Sequence, residues 1–169
     1  MQINVSQLLK ETFGTARNYK VNETVDVTGD GNDGLVQGKV RLFRTPRGIL
    51  VNGSLRTRVR LTCSRCLSPF SYPATLNIEE EYISTVDVVS GTPLPPPDES
   101  SSFIIDEHHV IDLTEAIRQY TLLAVPMKPL CREDCAGLCP KYGHNLNQGA
   151  CSCPKQDIDS RWSELSKLL

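Results

Sequence analysis

The chain has 169 residues, a formal net charge of −2, 39% hydrophobic and 6% aromatic residues, enough for one domain with its own apolar core. A balance this close to neutral excludes a polycation gripping nucleic acid along its whole length, so any such contact must come from a local patch. No stretch approaches the roughly 20 apolar residues that span a bilayer, and Met1-Gln2-Ile3-Asn4 lacks the basic start of an export signal; the expectation is a cytoplasmic protein with no membrane partner.

In chain order, residues 3–11 predict a short strand running into one or two helical turns, with Ser6 as N-cap and Gly14 ending the element. Tyr19-Lys20-Val21 and Glu23 to Val27 alternate as an exposed strand does, and Gly29, Gly31 and Gly34 mark a turn. From Val36 to Leu42 the even positions are small or apolar. After Arg44-Thr45-Pro46-Arg47-Gly48 the parity reverses, with Ile49, Val51, Leu55, Val59 and Leu61 apolar and Asn52, Ser54, Arg56, Arg58 and Arg60 polar. That switch is what a hairpin needs if both strands face one core. A third strand from Ala74 to Ile83 sets Leu76, Ile78 and Tyr82 against Thr75, Asn77, Glu79 and Glu81. Residues 88–102, rich in Pro and Ser, predict a mobile loop. Phe103-Ile104-Ile105 and His109-Val110-Ile111 return to extended structure, and Asp112 then caps a helix in an Asp-x-x-Glu box closed by Glu115. Leu113, Ala116, Ile117, Tyr120 and Leu123 or Ala124 form its apolar stripe, and Pro126 stops it. The residues beyond Cys131 are irregular until a short final helix over 159–169, where Trp162 and Leu165 provide an anchor. The fold expected is α+β: an antiparallel meander able to curl toward a barrel, a few short helices, a core domain over 1–130 and a Cys-rich tail over 131–169 packed on it.

Seven cysteines cannot all pair, and in a reducing compartment clustered thiols bind metal more often than they form disulfides. Cys63-Ser64-Arg65-Cys66 is a C-x2-C pair between two strands, a spacing that lets both thiolates reach one ion. Cys131, Cys135, Cys139, Cys151 and Cys153 crowd into a segment with little apolar content, which burial alone cannot order; metal supplies the missing driving force. A redox dithiol at Cys63 and Cys66 is the competing use, but a meander lacks the helix N-terminus that lowers a thiol pKa. A buried apolar role fits Cys63, which continues the inward register of its strand, and does not fit the tail.

The tail resembles a known family. Leu122 to Cys131, Cys135-Ala136-Gly137-Leu138-Cys139-Pro140, Gly143-His144-Asn145-Leu146-Asn147, Cys151-Ser152-Cys153 and Asp159-Ser160-Arg161 are similar to the C-terminal signature of the bacterial YceD proteins, the large ribosomal RNA subunit accumulation family. Leu8-Leu9 to Gly14, the Cys63–Cys66 knuckle and Ile111-Asp112-Leu113 fit as well. The family pattern reads Cys-Pro-x-Cys-Gly-x-Asn-Leu-Asn, and this chain carries Tyr142 at the second cysteine. A full set of eight thiols would imply two four-thiolate zinc sites. With seven, Cys63 and Cys66 join Cys131 and Cys135, while Cys139, Cys151 and Cys153 form a second site lacking one thiolate, which His144 is placed to complete. A single zinc site built from four tail cysteines is the alternative, because spacing does not fix pairing. The resemblance implies a role in keeping 23S ribosomal RNA at its normal level, through rRNA or a large-subunit assembly partner.

Eight of the 18 basic residues, Lys39, Arg41, Arg44, Arg47, Arg56, Arg58, Arg60 and Arg65, fall in a stretch with no acid between Asp33 and Glu79. Arg56, Arg58 and Arg60 project from one side of a strand, a charge density suited to RNA phosphates. Arg41, Arg56, Arg58 and Arg60 are therefore the candidate RNA contacts. Glu79, Glu80 and Glu81 on the next strand are the countervailing feature, able to neutralise part of that face, and no aromatic residues interleave for base stacking. The chain has no phosphate loop, nucleophile elbow or His-Glu-x-x-His pair, and Asp106-Glu107-His108-His109, which could form a hydrolytic cluster, reads rather as a solvated loop or strand edge. The expected function is a non-enzymatic ribosome-assembly factor without a small-molecule substrate. A zinc-dependent protein–protein adaptor and a thiol oxidoreductase are the other classes.

Overall fold

The computed structural model describes residues 1–29, 31, 33–88, 90–94 and 103–153. Its elements run β1 (Gln2–Asn4), α1 (Ser6–Leu9), β2 (Ala16–Asp26), β3 (Asp33–Arg44), β4 (Gly48–Thr62), β5 (Pro69–Ser84), β6 (Ile104–Ile105), β7 (Val110–Asp112) and α2 (Thr114–Ala124). Strands β3 to β5 are the predicted antiparallel meander, the expected exposed strand β2 extends it beside β3, and β6 adds a short parallel edge to β5. A second, two-stranded sheet pairs β1 with β7.

The parity switch across Arg44–Gly48 does what the sequence requires. Val36, Val40 and Leu42 of β3, Ile49, Val51, Leu55 and Val59 of β4, and Leu76, Ile78 and Tyr82 of β5 all bury on one face. Gly38 replaces an apolar residue in that row because Leu55 lies opposite it; a Cβ there would sit 2.9 Å from Leu55 Cδ2 and 2.2 Å from Ser54 O. Helix α2 covers the face with Leu113, Ala116, Ile117 and Thr121, while β1, α1 and β7 fill in beside it. Because α2 lies on this face, touching both β5 and β2, the core is completed by a helix, and the five-stranded sheet stays open instead of closing into a barrel.

The boundaries differ from expectation in three places, and one alternative left open is resolved. Ser6 is the first helical residue and Val5 the N-cap, without a side-chain cap; Asn4 Oδ1, one residue earlier, accepts the Ser6 amide at 3.1 Å. The N-cap of α2 is Leu113, not Asp112, although Asp112 Oδ1 accepts the Thr114 amide at 2.8 Å; nor does Glu115 close a box, because its carboxylate is held by Arg118 at 2.6 Å and Gln119 at 2.8 Å. Leu123 is exposed and Ala124 takes the inward place in the stripe. Strand β5 begins at Pro69 and runs through Pro73, since β6 pairs only with Ile83 and Ser84 and the missing proline amides fall on the unpaired edge. Of the expected mobile loop, residues 89 and 95–102 lie outside the described residues, as does the predicted final helix with Trp162 and Leu165.

Gly48 opens β4 where a Cβ would sit 1.9 Å from Tyr82 O, with no flexible side chain to move aside. Gly48→Ala is expected to lower stability by about 2 kcal/mol, read as a lower denaturant midpoint at unchanged slope.

Candidate metal centres and the basic sheet face

Strands β4 and β5 form one long hairpin, in register from Gly48 opposite Ile83 to Thr62 opposite Pro69. Its tip is Cys63-Ser64-Arg65-Cys66-Leu67. The turn is fixed by the Leu67 amide donating to Cys63 O and the Cys63 amide donating to Ser68 O, each at 3.0 Å, with Leu67 in the left-handed region at φ 57°. The chain returns to this tip after α2, where Pro129 O accepts the Ser64 amide at 2.8 Å. That return brings Cys131 and Cys135 against Cys63 and Cys66.

Cys63 Sγ lies 3.8 Å from Cys135 Sγ, and Cys66 Sγ lies 3.7 Å from Cys131 Sγ. All four sulfurs fall within 4.8 Å of one another. Zinc bonded tetrahedrally to sulfur at about 2.3 Å requires sulfurs about 3.8 Å apart, so this donor set fits the ion. Cys139, Cys151 and Cys153 form a second group, also within 4.8 Å, with Cys139 and Cys153 sulfurs 3.6 Å apart. The structure thus gathers the cysteines as two pairs plus a trio, and not as four tail cysteines around one ion. His144 does not join the trio; its side chain is exposed and only its backbone carbonyl, accepting the Cys139 amide at 2.8 Å, takes part.

The electrostatics of the two groups run in parallel. The backbone amide of Cys66 faces the Cys63 sulfur and, against the effect of burial and with the amides of Cys131 and Arg65, lowers its pKa to about 6. Cys66 is lowered by the amide and hydroxyl of Ser68. Loss of solvent and the neighbouring Cys66 and Cys63 thiols push Cys131 up to about 12. In the trio, the Tyr142 and Lys141 amides lower Cys139 to about 7, whereas the Cys151 and Cys139 sulfurs raise Cys153 to about 11. Each group therefore combines thiols whose ionisation is eased, Cys63 and Cys66 in the first and Cys139 in the second, with one that holds its proton more tightly, Cys131 or Cys153.

Two asparagine side chains that the residue-by-residue reading gave no role tie the tail to the first knuckle. Asn147 Nδ2 donates to Cys135 Sγ at 3.4 Å, and its Oδ1 accepts the Ala136 amide at 2.9 Å and Arg132 Nη2 at 2.6 Å. Asn145 Oδ1 accepts the Asn147 amide at 3.0 Å, and Asn145 Nδ2 reaches Ser68 Oγ at 3.1 Å beside the first knuckle. Their presence in the tail motif was the available signal; which atoms they bridge was not readable.

Of the basic stretch, three members are spent on structure. Arg44 is half-buried, donating to the carbonyls of Leu9, Thr45 and Gly48 and stacking on Phe13 at 5.3 Å. Arg47 pairs with Glu81 at 2.6 Å, and Arg65 donates to Cys135 O at 3.0 Å. Lys39, Arg41, Arg56, Arg58 and Arg60 remain exposed on the outer face of the sheet. The acidic residues of β5 do not lie across from them. Glu79 faces Asn52 and Glu81 faces Leu50, whereas Thr75, Pro73 and Ser71 face Arg56, Arg58 and Arg60. Glu79 is thus four residues, or about 13 Å, along the strand from the level of Arg56. Asp33 is the acid beside Arg58 and Arg60, where it lines a groove with Pro69, Phe70 and Ser71. Arg41 rests over the Phe43 ring at 4.5 Å, the aromatic contact on this face. At the far end of the inner face, Asp106 Oδ1 accepts the His108 and Val110 amides at 3.1 and 2.7 Å, which makes the Asp106–His109 stretch a tight turn.

Comparison with known proteins agrees with the tail motif. Residues 51–169 match the family model described as large ribosomal RNA subunit accumulation protein YceD. An uncharacterized protein of Mycobacterium tuberculosis is 31% identical over 130 residues, 77% of this chain and 60% of its own length. The Arabidopsis thaliana chloroplast protein named large ribosomal RNA subunit accumulation protein YCED homolog 1 is 27% identical over 179 residues, 91% of this chain and 54% of its own. The uncharacterized YlbN of Bacillus subtilis is 25% identical over 167 residues, covering 96% of this chain and 91% of its own. The chain thus spans little more than half the length of the mycobacterial and plant relatives. No solved structure matches significantly.

Proposed function

Because the chain belongs to the YceD family of large ribosomal RNA subunit accumulation proteins, we propose that it is a non-enzymatic factor for accumulation or assembly of 23S rRNA and the large ribosomal subunit, holding rRNA on the outer face of its sheet. The observation that carries this is the row of Arg56 and Arg58, exposed side by side on β4 and faced across β5 by uncharged residues. Guanidinium groups on alternate positions of a strand are spaced by about 6.6 Å, close to the separation of successive phosphates in a nucleic acid strand. Arg41 and Lys39 on β3 extend the row sideways, and Arg60 extends it toward the hairpin tip.

Zinc is the ion we assign to the cysteine groups, since an all-thiolate donor set at tetrahedral spacing selects it over the hard cations. Its role is to fix the tail on the hairpin tip. Thiol exchange is the weaker use of Cys63 and Cys66: the depressed Cys63 pKa suits it, but Cys63 is 0% and Cys66 4% exposed, and a redox sulfur must be reached by its substrate.

One observation favours a second reading, a protein adaptor that never meets RNA. Leu122, Leu123 and Met127 are 48%, 80% and 101% exposed just before the cysteine-rich return, an apolar patch of the kind partners cover. Sedimentation separates the two readings. Co-migration with large-subunit precursors that ribonuclease abolishes supports RNA contact; co-migration with a protein that survives ribonuclease supports the adaptor.

No helix among the described residues is long and apolar enough to cross a membrane.

A further inference from the structure

The two cysteine knuckles are the same structure built twice. In the first, the amide four residues after Cys63 (Leu67) donates to Cys63 O at 3.0 Å, and the Cys63 amide donates to the carbonyl five residues on, Ser68 O, at 3.0 Å. In the second, the amide four residues after Cys139 (Gly143) donates to Cys139 O at 2.8 Å, and the Cys139 amide donates to the carbonyl five residues on, His144 O, at 2.8 Å. The fourth residue after the cysteine is left-handed in both, Leu67 at φ 57° and Gly143 at φ 66°. Amides two and three residues beyond the first cysteine face its sulfur in each, Arg65 and Cys66 in one, Lys141 and Tyr142 in the other.

The match assigns every position. Cys66, the third residue after Cys63, supplies a sulfur to the first centre, and Tyr142 occupies the equivalent place in the second. A phenol cannot substitute for that sulfur. A cysteine sulfur is two bonds from its Cα, whereas the tyrosine hydroxyl lies beyond a whole ring, and this ring is 65% exposed with Lys141 Nζ 5.8 Å from its centroid. The imidazole of His144 is not grouped with the trio either. Among the described residues, then, three sulfurs converge, and Tyr142, at the position equivalent to the fourth, is exposed.

We infer that the Cys139, Cys151 and Cys153 centre holds its metal through three thiolates and leaves a fourth coordination position exchangeable, open to a thiolate from outside the chain. The inference rests on the assignment of metal to both cysteine groups. The first centre is closed by Cys63, Cys66, Cys131 and Cys135 and carries structure alone. The second has the make-up of a site with one vacant position, the arrangement that separates reactive zinc centres from structural ones. An incoming thiol loses its proton to solvent as its sulfur binds, and no electron is transferred. The source is either a small free thiol or a cysteine side chain on a partner, which share that chemistry.

The test uses the full chain loaded with cobalt(II), whose ligand-field spectrum reports each sulfur bound. Two equivalents are expected, one with a four-sulfur spectrum and one with three sulfurs. Titration with free cysteine, and separately with a cysteine-bearing tripeptide, is expected to convert the second spectrum to the four-sulfur type while the first stays unchanged. Tighter binding of free cysteine points to a small-molecule source, tighter binding of the peptide to a protein one, and either conversion supports the inference. Tyr142→Cys is expected to show two four-sulfur centres and no response to thiol. Should that variant fail to fold, Cys153→Ser serves instead, removing the thiol-responsive component and sparing the other. Uptake of two equivalents with spectra that thiol never moves would overturn the open position, because the site would then be closed by the chain itself. Uptake of one equivalent or none would instead defeat the prior assignment of metal to the trio.

Discussion

Chelation of the metal proposed for the cysteine groups is expected to release residues 128–153 from the hairpin tip while the sheet beneath stays folded. The two parts are held by different forces. The sheet and α2 share one apolar core that runs from Val5 to Ile117. Among the described residues the tail has no such core: the cluster around the first centre consists of Cys63, Cys66 and Cys135, with Phe70 and Leu130 half-buried against it. Ordering a residue costs about 1–2 kcal/mol of backbone entropy, and over a segment of this length two half-buried side chains do not offset it. A structural zinc contributes on the order of 10–16 kcal/mol in small zinc-dependent folds, far more than those two side chains. Hydrogen exchange checks this directly. After chelation, the amides of Cys139, Gly143 and Leu146, now protected by bonds of 2.8–2.9 Å, should exchange at least a hundredfold faster, with β3 and β4 unchanged. Cys135→Ser should reproduce the effect. Retained protection in the metal-free protein would remove the role assigned to the thiols.

The second large effect is on RNA. Arg56→Glu, Arg58→Glu and Arg60→Glu together are expected to weaken binding to rRNA by about 100-fold or more, as loss of two or three charge-assisted contacts at about 1.5 kcal/mol each demands. Fewer counterions are then released, so the slope of log affinity against log salt should fall by about two. The three side chains are exposed on the face away from the core, so the melting temperature should stay close to that of the parent. Arg47→Gln is the matched control, since Arg47 is engaged with Glu81 at the opposite end of the hairpin; it should leave affinity unchanged. Equal affinity of the triple variant and the parent would move the contact off this face.

The sheet was legible in the sequence where one physical signal repeats. Alternation of period 2 along β3, β4 and β5, with its parity reversed at the turn, needs no knowledge of partners, and it located the inward residues from Val36 to Tyr82. The parallel pairing of β6 was not legible, because two residues, Ile104 and Ile105, carry no period. The cysteine grouping was legible only as alternatives. Spacing shows that thiols are near in the chain, while the proximity of Cys66 to Cys131 depends on the hairpin length and on where α2 delivers the chain. The basic stretch was the least reliable guide. Charge counts do not say that Arg44 turns inward onto three carbonyls or that Arg65 is taken by Cys135 O. The same counts overstated the acids, whose strand register places them away from Arg56.

The union of Cys66 with Cys131, 65 positions later, also sets a timetable for the newborn polypeptide. At about 5–20 residues per second of translation, the early thiol pair waits roughly 3–13 s for its late counterparts. Strands β4 and β5 can zip together during that interval, whereas an ion seated on two sulfurs is easily lost. On the proposed assignment of zinc, metal capture is the closing event of maturation, and a cell starved of zinc is expected to accumulate molecules with a finished sheet and an unclasped C-terminal end.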